Sequence, residues 1–126
     1  MRWTVQTEFI RSWLDSLDEP IALRVAEALE ALAADGPALG RPLVDSIHGS
    51  SIHNLKELRP RSTGRSEIRI LFVFDEDRSA VTLLAGDKAG FLKRGPKWGK
   101  WYKAAIPEAE RRYRRYLEWK DNGGHA

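Results

Sequence analysis

The sequence predicts an α+β fold, in which helices pack against a small antiparallel sheet. Two short runs rich in β-branched and aromatic residues, Ile68 to Phe74 and Ala80 to Ala85, flank an acidic turn at 75–77. This pattern is typical of a β-hairpin. Apolar residues recur at helical spacing before the hairpin and again after it. Together these observations predict the element order β-α-α-β-β-β-α.

The first third of the chain predicts one short strand and two helices. Apolar and polar residues alternate from Trp3 to Gln6, as they do in a strand. Thr7 is a candidate N-cap for the first helix, whose apolar residues run from Phe9 to Leu17. Asp18 is the candidate N-cap of the second helix, with Pro20 in its first turn. Because a pair of helices must bury its apolar stripe, we expect the pair to cover one face of the sheet.

The middle of the chain carries the remaining strands. Residues 36–53 are rich in Gly, Pro and Ser, which predicts a loop, and His53 to Arg59 is predicted to be a strand. In the strand that follows, alternation places Ile68, Ile70, Phe72 and Phe74 on one face and Arg69 on the other. An arginine in a core strand is costly unless it is paired or functional. We therefore expect the face that carries Arg69 to be left for function.

The last third predicts a helix with an aromatic face. Its apolar positions share one helical face: Trp98, Trp101, Tyr102, Ala105, Ile106, Ala109, Tyr113 and Leu117. Pro107 lies inside this pattern, and an internal proline costs a helix about 3 kcal/mol, so a kink or restart is predicted there. The chain is expected to form a single domain over residues 1–121, with a flexible tail at 122–126.

Composition and charge limit the possible functions. The 126 residues include no cysteine, which excludes disulfides and thiolate metal sites, and neither a metal nor another cofactor is predicted. The absence of a long apolar run and of a signal peptide predicts a cytoplasmic protein that does not bind membranes. Residues 54–103 carry twelve Lys and Arg against six Asp and Glu. This basic segment contains most of the predicted sheet and indicates a polyanionic or acidic partner.

Several motifs, taken together, resemble those of the HigB-like toxins of type II toxin–antitoxin systems, within the RelE/ParE superfamily. The motifs are Glu57–Leu58–Arg59, Ile68–Arg69–Ile70–Leu71, Gly86–Asp87–Lys88, and the WY…IP pattern of Trp101–Tyr102 and Ile106–Pro107. The resemblance implies a RelE-like fold: two N-terminal helices packed on a small twisted antiparallel sheet, followed by a C-terminal helix. It also implies a metal-independent, ribosome-dependent mRNA endoribonuclease that inhibits translation. The implied partners are mRNA, the ribosome and a cognate helix-turn-helix antitoxin of the HigA type, in a possible hetero-oligomer with the toxin.

The resemblance also implies roles for individual residues. Arg69 would stabilise charge in the transition state with support from Arg59, and Lys88 would bind the phosphate or transfer a proton. The expected RNA or ribosome contacts are Lys56, Arg61, Arg65, Lys93, Arg94, Lys97 and Tyr102. The general base is not assigned. His48 and His53 are either acid–base residues or ordinary loop histidines.

Alternatives stay open for Arg69 and for the protein as a whole. Arg69 is either a site residue or a structural partner of Glu57, Glu67 or Asp87 across neighbouring strands. The whole protein is alternatively a ParE-like, non-enzymatic inhibitor of DNA gyrase, or a binding module without toxicity.

Overall fold

The fold has five strands and three helices in residues 2–89 and 98–124, which are the residues that the computed structural model describes. The strands are β1 (Thr4–Gln6), β2 (Val44–Ser46), β3 (Lys56–Leu58), β4 (Ile68–Asp75) and β5 (Ser79–Asp87). The helices are α1 (Arg11–Asp15), α2 (Glu19–Asp35) and α3 (Trp98–Asp121), with short 3₁₀ turns at Glu8–Ile10 and Gly36–Ala38. The predicted α+β class is confirmed, with one strand more than predicted.

The five strands form one sheet in the order β1-β5-β4-β3-β2. Strands β2 to β5 follow each other as an antiparallel meander, and β1 pairs with β5 in parallel at the edge. The extra strand is β2, so the prediction of an uninterrupted loop over 36–53 is wrong at Val44–Ser46. This three-residue strand depends on its pairing with β3, which local composition does not report.

The N-terminal helices cover one face of the sheet. The side chain of Asp18 accepts a hydrogen bond from the backbone N–H of Ile21 at 3.1 Å, which confirms the predicted cap of α2. Thr7 makes no capping hydrogen bond and is not in the extended conformation that an N-cap needs, so that prediction is wrong. The buried residues on this face include Ile10, Val25, Leu32, Ile70 and Phe72.

Helix α3 covers the opposite face. Its buried side chains, Trp101, Ala105, Ala109 and Tyr116, belong to one apolar cluster with Leu71, Val73, Val81 and Leu83 of the sheet. The expectation that this face is left open is therefore wrong, since the aromatic stripe of α3 needs an apolar surface and this is where it lies. The helix continues through Pro107, so the predicted restart does not occur. Within residues 2–89 and 98–124, no helix combines the length and the apolar character that crossing a bilayer requires.

Candidate active site

A cluster of charged side chains surrounds Glu57 of β3, which is only 3% exposed. One carboxylate oxygen of Glu57 lies 2.9 Å from a guanidinium nitrogen of Arg59. The other oxygen lies 3.5 Å from Nε of Arg69 and accepts a hydrogen bond of 2.7 Å from the hydroxyl of Tyr102. Nζ of Lys88 donates to the same hydroxyl at 3.4 Å. The structure thus brings Arg59, Arg69 and Lys88, the three predicted catalytic residues, to one place.

The sheet register explains why these side chains meet. Glu57 pairs with Leu71 and Arg69 pairs with Gly86, and the period of two directs Glu57, Arg59 and Arg69 toward α3. Gly86 allows the beginning of α3 to approach the sheet, because a Cβ at this position would lie 2.9 Å from Nε1 of Trp101. This close approach places the neighbouring Tyr102 over Glu57.

Lys88 follows β5 directly and is held by the backbone around Asp87. One carboxylate oxygen of Asp87 accepts hydrogen bonds from the N–H groups of Glu67 and Ala89, at 2.9 and 3.0 Å. The N–H of Lys88 donates to the carbonyl of Glu67 at 3.0 Å. Lys88 itself is 3% exposed, and its amine lies 5.2 Å from the centre of the Tyr102 ring. The Gly86–Asp87–Lys88 segment therefore fixes the amine inside the cluster.

The environment changes the acidity of Lys88 and Tyr102. Burial, assisted by the nearby charge of Arg69, lowers the pKa of Lys88 to about 8, although Glu57 acts in the opposite direction. Burial and the hydrogen bond to Glu57 raise the pKa of Tyr102 to about 12. Lys88 is thus the side chain of the cluster whose pKa is moved toward neutral pH, whereas Tyr102 keeps its proton.

The two arginines are paired but retain unused donors. Arg59 contacts Glu57 and, at 3.4 Å, Asp45. Arg69 contacts Glu57 and, at 3.0 Å, Glu67. Two of the three structural partners considered for Arg69 are therefore present. The Nε–H groups of Arg59 and Arg69 are nevertheless buried without a hydrogen-bond acceptor in the described part of the chain. Such donors are rare in proteins, and they can donate hydrogen bonds to an oxygen of a bound anion.

A cavity of about 340 Å³ opens beside the cluster. It is lined by Ser46, Ile47, His48, Glu57, Arg59, Lys88, Tyr102 and Ile106. Its volume is at the lower end of the range of roughly 300–1,000 Å³ that is usual for small-ligand sites. Arg69 does not line the cavity. A ligand in the cavity would therefore meet Arg59 and Lys88 first.

Three other predicted RNA contacts that the structure describes, Lys56, Arg61 and Arg65, lie away from the cluster. Lys56 is on the face of β3 opposite Glu57, and its amine donates to the hydroxyl of Ser46 at 3.4 Å. Arg61 lines a separate cavity of about 240 Å³ against α2, and Arg65 is exposed between β3 and β4. Lys93, Arg94 and Lys97 lie outside the described residues. Tyr102 is the predicted RNA contact that joins the cluster.

Two residues at the site were not assigned to it from the sequence. Glu57 was considered only as a possible structural partner of Arg69, although a carboxylate two residues before Arg59 has the spacing for contact on one strand face. His48 was one of two acid–base candidates, and it lines the cavity, whereas His53 lines another cavity beside α3. Residues 2–89 and 98–124 contain no group of three or more His, Cys, Asp or Glu side chains arranged to hold a metal ion.

Comparison with known proteins places the chain in a family. The family model described as phage derived protein Gp49-like (DUF891) matches residues 12–114. "Putative toxin HigB3" of Mycobacterium tuberculosis (strain ATCC 25618 / H37Rv) is 42% identical over 115 residues, which cover 91% of this chain and 93% of that protein. "Putative toxin HigB2" of the same strain is 47% identical over 115 residues, but the match spans about half of its length, 54%. The chain therefore belongs to the phage-derived Gp49-like family and is a HigB-like protein.

Proposed function

We propose that the protein is the toxin of a type II toxin–antitoxin system and that it cleaves mRNA on the ribosome without a metal ion. The similarity to proteins named as HigB toxins supports the first part. The observation that carries the chemistry is the amine of Lys88, which has a pKa of about 8 and shares one cluster with Arg59 and Arg69. Perturbed groups in a cavity are typical of catalytic sites.

The reaction begins with the ribose 2′-hydroxyl. With a pKa of about 8, roughly one Lys88 amine in ten is neutral at pH 7 and able to accept the hydroxyl proton. The 2′-oxygen then forms a bond to the phosphorus while the bond from phosphorus to the 5′-oxygen breaks. The products are a 2′,3′-cyclic phosphate and a 5′-hydroxyl, and the reaction consumes no water. Lys88 thus fills the role of the base, which the sequence left unassigned.

The arginines stabilise the charge that develops on the phosphate oxygens. Glu57 holds Arg59 and Arg69 in fixed orientations, and the Nε–H of each lacks an acceptor in the described residues. Donors that are oriented before the reaction and shielded from water are the most effective stabilisers of such charge. Arg59 borders the cavity and is the direct contact, whereas Arg69 does not line the cavity and its charge adds to burial in lowering the pKa of Lys88. The ring of Tyr102 borders the same cavity, where a base can stack.

The proposal includes the partners that a toxin of this type requires. A cognate helix-turn-helix antitoxin would neutralise the protein in the cytoplasm. The exposed cations away from the cluster, among them Arg61 and Arg65, would contact RNA or the ribosome, together with Lys56, Lys93, Arg94 and Lys97. Co-expression with a small helix-turn-helix protein encoded beside this chain tests the first point, since a stable complex that restores growth is expected.

The test of the activity is mRNA cleavage in a purified translation system. We expect new 5′-hydroxyl ends and 2′,3′-cyclic phosphates when the protein is added to translating ribosomes. Lys88→Met should lower the cleavage rate by about 100-fold or more, because a general base contributes about 10²–10⁴-fold. Lys103→Met is the matched control, since Lys103 is exposed on α3 and should not matter. Circular dichroism checks that both variants fold.

Three outcomes would contradict the proposal or its mechanism. Intact mRNA on ribosomes that translate normally would exclude the ribonuclease. Inhibition of gyrase supercoiling without an effect on translation would select the gyrase inhibitor instead. Cleavage products ending in a 3′-hydroxyl and a 5′-phosphate would exclude the mechanism, because attack by the 2′-hydroxyl cannot produce them.

A further inference from the structure

The loop between β2 and β3 carries a histidine into the candidate active site. His48 is exposed and lines the same cavity as Lys88, at the side formed by the end of β2. The other titratable or charged groups that line this cavity are Glu57, Arg59 and Tyr102. His48 makes no hydrogen bond or ion pair with the described residues, so its imidazole is available to a bound molecule.

This loop is anchored on both sides of His48. Before it, the N–H of Ile47 donates to the carbonyl of Leu55 at 2.9 Å. After it, the hydroxyl of Ser50 and the N–H of Ser51 both donate to one carboxylate oxygen of Glu110 on α3, each at 2.8 Å. These bonds hold the short segment around His48 against both the sheet and α3. The chain is therefore anchored close to His48 on both sides, at the edge of the cavity that His48 lines.

Cleavage by attack of a 2′-hydroxyl needs a proton donor as well as a base, because the 5′-oxygen leaves with a negative charge. Among the groups that line the cavity, Arg59 does not release its proton, and Tyr102 keeps its own in the bond to Glu57. Glu57 is buried, and its carboxylate oxygens already contact Arg59, Arg69 and Tyr102. Imidazole is the side chain that gives and takes protons near neutral pH.

We propose that His48 is the general acid of the reaction and protonates the leaving 5′-oxygen of the RNA. This inference rests on the proposed ribonuclease function. In the step, Lys88 accepts the proton of the 2′-hydroxyl, the new bond forms at phosphorus, and the imidazolium of His48 gives its proton to the 5′-oxygen as the old bond breaks. The enzyme thus begins with a neutral amine and a protonated imidazole and ends with the opposite pair, and its net charge is unchanged.

The test compares two synthetic mRNAs placed on ribosomes, which differ in one atom at the bond that the wild-type protein cleaves. One has the natural 5′-oxygen, and the other has sulfur in its place, which leaves as a stable thiolate and needs no proton donor. We expect His48→Ala to lower the cleavage rate of the oxygen mRNA by about 100-fold and that of the sulfur mRNA by less than about threefold. Lys88→Met should lower both rates, because both reactions need the base.

His53→Ala is the matched control, since His53 is an exposed histidine of the same loop that lines a different cavity. It should leave both rates unchanged. An equal loss on the two mRNAs with His48→Ala would overturn the inference, because His48 would then act in binding or structure. A normal rate on the oxygen mRNA would overturn it as well. If the wild-type protein cleaves neither mRNA, the ribonuclease proposal itself fails, and the role of His48 falls with it.

Discussion

The hydroxyl of Tyr102 on α3 donates a hydrogen bond of 2.7 Å to Glu57 on β3, which joins the C-terminal helix to the charged cluster. The same hydroxyl lies 3.4 Å from the amine of Lys88. One oxygen atom thus contacts both the carboxylate that orients the arginines and the amine proposed as the base. The position of α3 on the sheet is therefore linked directly to the geometry of the site.

Removal of this hydroxyl should affect both stability and activity. Tyr102→Phe leaves an oxygen of the buried Glu57 without its donor, which typically costs about 1–3 kcal/mol. We expect the free energy of unfolding in urea to fall by that amount and mRNA cleavage to slow. Tyr113→Phe is the control, because the hydroxyl of Tyr113 has no hydrogen-bond partner among the described residues. Equal stability losses in the two variants would contradict the role assigned to Tyr102.

Much of the fold could be predicted because it follows from local patterns. Asp18 before Pro20 marks the beginning of α2, and the apolar run from Ile68 marks β4. The strand β2 was missed because Val44–Ser46 is too short to show a pattern and forms through its pairing with β3. The position of α3 on the Arg69 face was missed because it depends on how distant elements pack.

The candidate site also combines features that follow from local sequence with features that depend on how distant elements pack. Alternation along β4 correctly separates Arg69 from the apolar face that α2 covers, since that property is local. The central position of Glu57 depends on the register between β3 and β4 and on the approach of Tyr102 from α3. Neither is visible in a single segment. The three cations were named from the resemblance, but the carboxylate that organises the arginines was found in the structure.

The amine of Lys88 should make stability depend on pH in the alkaline range. Its pKa falls from an ordinary 10.5 to about 8 in the folded protein, chiefly because it is buried. Between these values the unfolded chain binds the proton and the folded protein does not, so raising the pH favours folding. Below pH 8 both states are charged, and the buried charge costs on the order of 3 kcal/mol.

The measurement is the free energy of unfolding of the wild-type protein and of Lys88→Met at several values between pH 7 and pH 10. We expect the wild type to gain stability relative to the variant as the pH rises through this range. Subtracting the free energy of unfolding of the variant from that of the wild type removes the contributions of other groups that titrate in both proteins. A difference that stays constant, or that changes in the opposite direction, would show that the Lys88 pKa is not lowered.

Gly86 should be required for the contact between α3 and the sheet. Gly86→Ala places a methyl group 2.9 Å from Nε1 of Trp101, so the Trp101 side chain or the beginning of α3 must shift. Overpacking of this kind typically costs about 1–3 kcal/mol, and the shift should also reduce cleavage by displacing Tyr102. Thermal unfolding and the cleavage assay measure the two effects. Gly40→Ala is the control, since a Cβ there meets no atom within 4 Å. If Gly86→Ala changes the stability and the cleavage rate as little as Gly40→Ala does, Gly86 is not required for this contact.

The C-terminal end of α3 is hydrogen-bonded to Asp75, at the beginning of the β4–β5 turn. One oxygen of Asp75 accepts hydrogen bonds from the hydroxyl of Tyr116 and, at 2.9 Å, from the amine of Lys120. Burial raises the pKa of Asp75, but these hydrogen bonds outweigh it and keep the pKa below its ordinary value of 3.8. Because the folded state binds the proton less readily than the unfolded chain, the bonds contribute stability above pH 3.8 that is lost at lower pH.

We therefore expect Asp75→Asn to be less stable than the wild type at pH 6, with a difference that shrinks as the pH falls below 3.8. Acid titration of both proteins, followed by far-ultraviolet circular dichroism in urea, measures this difference. Asp77→Asn is the control, because Asp77 is 65% exposed and also contacts Lys120, at 2.6 Å. If Asp77→Asn shows the same pH dependence, the effect comes from the charge near Lys120. If Asp75→Asn alone shows it, the buried bonds of Asp75 hold the end of α3, independently of the Tyr102 contact at its beginning.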